Sequence, residues 1–306
     1  MSATPDTAPD NWVDRFAPRK AKPYLRLMRA DRPIGAWLLL LPCWFGSALA
    51  AASDVSAPFA SHMALFAIGA FVMRGAGCAY NDIVDKDFDA RVDRTALRPI
   101  PSGQVTVRNA WIFLIALCLC GLIVLLQFNP FTILLGFASL ALVAAYPFMK
   151  RITWWPQAWL GLTFNWGALV GFAAAAASLN AAALILYLAC IFWTLGYDTI
   201  YAHQDKDDDA LIGVKSSARR LAEDTKPFLT LFYGAVIGLF ALAGGLSGFG
   251  PLFYVALIAP TAHFAWQIRT LDINDSARCL LLFKSNRNAG FLLLAPLLLE
   301  AVVGGP

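Results

Sequence analysis

The sequence predicts an all-α, polytopic integral membrane protein with about nine transmembrane helices around a central cavity. Composition is the first observation behind this. Of 306 residues, 59% are hydrophobic and 14% charged, where a soluble domain carries about 25% charged residues. The second is length: the apolar residues fall into runs of about 20, enough for a helix to cross ~30 Å of hydrocarbon and too long for barrel strands. The third is the placement of Lys and Arg, which repeats along the chain in step with those runs.

Taken in order, residues 1–21 are rich in Pro, Ala and Asp and read as a disordered tail. They have no apolar core, so they are not a signal peptide. Asp6, Asp10 and Asp14 make them too acidic for a mitochondrial transit peptide, which favours a bacterial inner membrane. Residues 22–306 are expected to form one transmembrane domain. It opens with a basic interfacial helix over 22–32. Spans follow near 34–52, 60–80, 109–127, 130–148, 156–177, 181–202, 227–247, 250–268 and 288–304. Asn129-Pro130 marks a tight turn between two of them. The six cysteines mostly lie in apolar runs without zinc-type spacing and read as small core residues.

With the N-terminus inside, the inner segments are 1–33, 81–108, 149–155, 203–226 and 269–287. They hold every Lys and Arg except Arg74. Both acidic clusters of the chain then fall on the inner, cytoplasmic side. The first is Asn81-Asp82-Ile83-Val84-Asp85-Lys86-Asp87-Phe88-Asp89, at the end of a span. Asn81, Asp85 and Asp89 share a helical face, with Asp82 one residue round from Asn81. Like charges so placed repel. The simplest compensation is a divalent cation with oxygen ligands, bridged to a phosphorylated substrate. The second cluster is Asp205-Lys206-Asp207-Asp208-Asp209. Asp198 precedes it within a helix end and shares a face with Asp205 and Asp209 if the helix runs through that stretch. Tyr80-Asn81 and Tyr197-Asp198 occupy matching places before the two clusters, so two related halves facing one shared site are expected.

Other polar residues join the candidate site. Arg94, Arg98, Lys150 and Lys215 lie near Pro, Gly or Ser turns and suit a departing phosphate. Arg74 lies inside a span, seven residues before Asn81 and on the same face. Its partner is either a motif Asp or a substrate carboxylate. Asn165 is either a packing residue or a pocket residue, and His203 lies close to the second cluster. There is no nucleophile motif, P-loop or dinucleotide fingerprint, and no nucleic-acid partner is expected.

Asn81-Asp82-x-x-Asp85-x-x-x-Asp89 and Asp205-x-x-x-Asp209 resemble the two Asp-rich motifs of the UbiA superfamily of intramembrane aromatic prenyltransferases. Further strings resemble its 4-hydroxybenzoate polyprenyltransferase branch. They are Arg26-Leu-Met-Arg29-x-Asp31-Arg32-Pro33-Ile34-Gly35, Met73-Arg74-Gly-Ala-Gly-Cys78, Arg94-Thr-Ala-x-Arg98-Pro-Ile-Pro-Ser102-Gly103 and Tyr197-Asp198-Thr-x-Tyr201-Ala. The resemblance implies transfer of a polyprenyl group from its diphosphate to the ring carbon ortho to the hydroxyl of 4-hydroxybenzoate, in ubiquinone synthesis. It implies Mg²⁺ held by Asn81, Asp82, Asp85, Asp89, Asp205 and Asp209, with Asp198 beside them. It adds Tyr201 to the substrate-binding residues. Other acceptors (homogentisate, a naphthoate or haem) would leave the diphosphate half unchanged. A cation or metabolite transporter is disfavoured, because its acids should span the membrane depth rather than gather on one side.

Overall fold

The computed structural model describes residues 11–53, 59–91, 93–204, 206 and 215–303, and every element among them is helical. The α-helices are α1 (Trp12–Phe16), α2 (Lys22–Leu27), α3 (Ile34–Ala52), α4 (Phe59–Val84), α5 (Lys86–Asp89), α6 (Asp93–Ala96), α7 (Val107–Leu125) and α8 (Pro130–Ile152). They continue as α9 (Pro156–Phe164), α10 (Trp166–Ala176), α11 (Ala181–Ala202), α12 (Ser217–Leu221), α13 (Thr225–Leu246), α14 (Pro251–Ala256), α15 (Ile258–Thr270) and α16 (Ser276–Val303). Among the described residues, eight stretches are long and apolar enough to cross a membrane. The eighth expected span, 250–268, is broken at Leu257 into α14 and α15. Pro260 explains the break: its ring has no N–H for the carbonyl four residues back, Ala256, and crowds it. The polytopic helical class therefore stands, with eight candidate spans among the described residues, of which Pro156–Ala176 turns at Asn165 and Ser217–Leu246 passes through a 3-10 turn at Ala222–Asp224, and one further divided helix.

The chain divides into two compact units, residues 1–37 with 67–127 and residues 38–66 with 128–303 of the described chain. In the first, the part of the expected disordered tail that is described turns out to be ordered. Asn11 caps α1 by accepting from the amides of Val13 and Asp14, and Val13 is fully buried. It joins an apolar cluster with Leu27, Ala30, Ile83, Ile100 and Leu114. A local cap and one buried side chain thus hold a segment whose composition alone reads as tail.

The second unit is organised on α11, whose Trp193 and Tyr197 are almost fully enclosed. Trp193 donates through Nε1 to Asn286 Oδ1 at 2.9 Å and meets Tyr197 edge-on, ring centroids 5.4 Å apart. Helices α3 and α10 cross backbone to backbone. A Cβ on Gly171 would strike the carbonyl oxygen of Cys43, and one on Gly46 that of Ala168. Small residues at a crossing let membrane helices gain close van der Waals contact. Cys43, Cys78, Cys190 and Cys279 are buried as expected, whereas Cys118 and Cys120 lie exposed on α7.

Candidate active site

Helix α4 ends in the acidic motif, and its period sorts the acids. Asp82, Asp85 and Asp89 are buried, with Asp82 and Asp85 each only 1% exposed, while Lys86, Asp87 and Phe88 face outward. The ladder runs on through the kink at Asp85, with Asp85 N–H to Asn81 O at 2.9 Å and Asp89 N–H to Asp85 O at 2.8 Å. One inward face therefore carries the three carboxylates that the motif spacing selects, and Asp87 is left off it.

Buried carboxylates are costly without positive partners. Two arginines supply them in this unit. Arg29 Nη2 donates to both oxygens of Asp82, at 2.7 and 3.0 Å. Arg98 Nη1 lies 2.7 Å from Asp89 Oδ2 and 3.4 Å from Asp82 Oδ1. Thr95 Oγ1 donates to the Asp89 carbonyl at 2.8 Å and holds the turn that brings Arg98 back. Burial pulls the Arg29 guanidinium down, but Asp82, with Cys78 and Asp31 adding to it, outweighs burial and the pKa is raised. Burial also raises the Asp89 carboxyl; Arg98 opposes this, while Asp82 and Asp85 reinforce it.

Arg98, expected at the substrate phosphate, is thus found on the acids themselves. Arg29 was not singled out by sequence reasoning, although it stands in one of the family-like strings. Nothing in the sequence set it apart from Arg26 or Arg32; the structure does. Arg29 follows α2 with φ 59°, a left-handed conformation rare for residues with a Cβ. Arg74 is half-buried on α4 with its guanidinium packed on Gly35, where a Cβ would strike Nε.

In the second unit, Asp198 is half-buried on α11 and Tyr201 packs against Phe283 at a tilt of 44°, ring centroids 4.5 Å apart. Asn165 is fully buried at the α9–α10 break. It donates to Gly161 O at 2.8 Å and Thr194 Oγ1 at 2.7 Å, and Thr194 donates on to Tyr197. These are helix-packing bonds, the first of the two roles the sequence left open. Lys215 donates to Ile152 O at 3.1 Å and lies over the Trp154 ring beside Arg219. His203 bonds Thr225 Oγ1 at 2.9 Å, and burial, helped by Lys206, pushes its pKa down to about 4. Asp205 and Asp209 lie outside the described residues, as do the side chains of Arg94 and Lys150. Among the described residues, no group of three or more His, Cys, Asp or Glu is placed to hold a metal ion by itself.

Comparison with known proteins gives this arrangement a context. Proteins named "4-hydroxybenzoate polyprenyltransferase, mitochondrial" are 50% identical in Rattus norvegicus and 51% identical in Bos taurus, each over 94% of this chain and 77% of theirs. The Homo sapiens protein of that name is 49% identical over 92% of this chain and 76% of its own. These names overturn the expectation of a bacterial inner membrane with a cytoplasmic site, because the relatives are mitochondrial. Acidity of the first residues was too weak a basis for choosing a membrane. Among solved structures, the apo UbiA homolog from Aeropyrum pernix K1 matches with a TM-score of 0.71 at 26% identity, covering 86% of this chain and 97% of that one. A UbiA homolog from Archaeoglobus fulgidus bound to DMAPP and Mg²⁺ shares the fold, with a TM-score of 0.64 at 19% identity over 92% of this chain and 99% of that one. The family model for UbiA prenyltransferases matches residues 39–294, and the chain belongs to that family.

Proposed function

We propose that this chain transfers a polyprenyl group from polyprenyl diphosphate to the ring carbon ortho to the hydroxyl of 4-hydroxybenzoate, releasing diphosphate, in ubiquinone biosynthesis. The membrane is mitochondrial, by the names of its relatives. The observation that carries the diphosphate half is the inward face of Asp82, Asp85 and Asp89 at the end of a membrane helix. The acceptor rests on the relatives' names and on half the residues being identical over nearly the whole chain.

The donor chemistry of that face fits a hard cation, because it offers carboxylate oxygens and no soft ligand. Asn81, Asp82, Asp85 and Asp89 would hold Mg²⁺, and by the resemblance of the second motif Asp205, Asp209 and Asp198 are further candidates for the diphosphate chemistry. Mg²⁺ neutralises diphosphate charge and so makes it a better leaving group. Arg29 and Arg98 aim the Asp82 and Asp89 carboxylates before substrate arrives. When diphosphate enters, the same two guanidiniums offset the charge it brings. The allylic C–O bond then breaks with its electron pair on diphosphate. The ring carbon ortho to the hydroxyl attacks the cation, and loss of the ring proton restores aromaticity. Water must be kept from that cation, which a site enclosed by membrane helices provides. Arg74, packed on Gly35, receives the acceptor's carboxylate.

The test incubates membranes containing the protein with 4-hydroxybenzoate, polyprenyl diphosphates of several chain lengths and Mg²⁺, with and without chelator. The expected product is a 3-polyprenyl-4-hydroxybenzoate that chelator abolishes. Prenylation of another acceptor in preference to 4-hydroxybenzoate overturns the assignment.

A further inference from the structure

We propose that the short helix α1 is a latch that positions Arg29 against Asp82; the proposal rests on the reading of Asp82 as part of the diphosphate site. Arg29 has φ 59°. A residue with a side chain keeps that conformation where its surroundings hold it there. The end of α2 supplies part of the hold, with Arg29 N–H to Arg26 O at 3.0 Å and Ala30 N–H to Leu25 O at 2.9 Å. Helix α1 supplies the rest. Trp12 Nε1 donates to Ala30 O at 2.8 Å, on the residue next to Arg29. Asp14 Oδ1 pairs with Arg26 Nη2 at 2.5 Å, and Lys22 Nζ donates to the Asp14 carbonyl at 2.7 Å. Arg26 then accepts on its carbonyl from Arg29 Nη1 at 3.0 Å. A continuous run of bonds links Asp14 to Arg26, Arg26 to Arg29 and Arg29 to Asp82.

Packing reinforces the hydrogen bonds. Val13 of α1 has no exposed surface and belongs to the apolar cluster that holds Leu27, Ala30 and Ile83. Those residues flank Arg29 on one side of the ion pair and Asp82 on the other. The latch also lies wholly before residues 39–294, the stretch that the family model matches. Trp12 and Asp14 are positioning residues, acting on the site through Arg29.

The test compares the full chain with Trp12→Phe, Asp14→Asn and the double variant. Trp12→Phe keeps an aromatic ring in place while removing the Nε1–H donor. Hydrogen exchange of the purified, substrate-free protein reads the latch directly. The double variant is expected to exchange about 5- to 10-fold faster at residues 25–31 and 81–89, with the rest of the membrane helices unchanged. In transfer assays its KM for polyprenyl diphosphate rises by about 5-fold, while kcat and the KM for 4-hydroxybenzoate hold. In an Arg29→Ala background the same two substitutions add nothing further. Faster exchange confined to residues 11–17, or an equal rise across the whole chain, overturns the proposal. A parent chain that shows the exchange coupling but transfers no prenyl group leaves the latch standing and removes the proposed function instead.

Discussion

Arg29 and Asp82 form a two-oxygen ion pair across 53 positions of sequence, and almost no solvent reaches it. The side chains are 11% and 1% exposed. Breaking a pair so enclosed leaves an uncompensated charge behind. Arg29→Ala is therefore expected to cost about 3 kcal/mol of stability. Arg98→Ala should cost less, because Arg98 is 20% exposed and meets Asp82 at 3.4 Å. Adding Asp82→Asn to Arg29→Ala should recover much of the loss, since the orphaned charge is then gone. Thermal unfolding in detergent measures all of these. An Arg29→Ala variant that melts with the parent refutes the assignment.

The contact of Arg74 with Gly35 separates the two substrates. A Cβ at residue 35 needs the space that the guanidinium fills. Gly35→Ala is expected to push Arg74 aside and raise the KM for 4-hydroxybenzoate by about 10-fold, or roughly 1.4 kcal/mol. The KM for polyprenyl diphosphate should change little. Arg74→Ala should show the same split more strongly. Equal effects on both substrates would mean that Arg74 serves the fold rather than the acceptor.

The helical membrane class could be read from composition because lipid forces long apolar runs on any helix that crosses it. The acids to be buried could be read from spacing, since Asp82, Asp85 and Asp89 share a face that Asp87 does not. Their partners could not. The positive-inside rule scatters Lys and Arg near every inner helix end, so nothing local marks Arg29 over Arg26 or Arg32. The order of Trp12–Phe16 was hidden for a related reason. Its hold comes from Ala30 and Arg26, which are distant in sequence, and only the Asn11 cap was visible locally. The division of the eighth span was legible, because Pro260 stands in the middle of it.

Asp89 gives the fold a pH dependence of known sign. Its carboxyl is raised by burial, with Asp82 and Asp85 adding to the effect against Arg98. Between the unfolded value of about 3.9 and the raised native value, the native protein binds more protons than the unfolded chain. This contribution to stability therefore falls as pH rises through that window and is level above it. Asp89→Asn removes the titration. The Tm of the metal-free parent, taken relative to Asp89→Asn, should drop as pH is raised from about 4 through that window. A difference that grows with pH would show that Arg98 outweighs burial.

The crossing of α3 and α10 leaves no room for a Cβ at Gly46 or Gly171. At Gly171 and Gly46 a new Cβ meets backbone carbonyl oxygens, of Cys43 and Ala168, which cannot rotate away. Either Gly→Ala change forces the helices apart and is expected to cost about 3 kcal/mol, the upper end of ordinary overpacking. Gly234 on α13 is the contrast, because a Cβ there meets nothing within 4 Å. Gly234→Ala should be neutral or stabilising by up to about 1 kcal/mol through helix propensity. Melting of the three variants in one detergent compares them directly. A Gly171→Ala protein as stable as Gly234→Ala would show that α3 and α10 do not touch along their backbones.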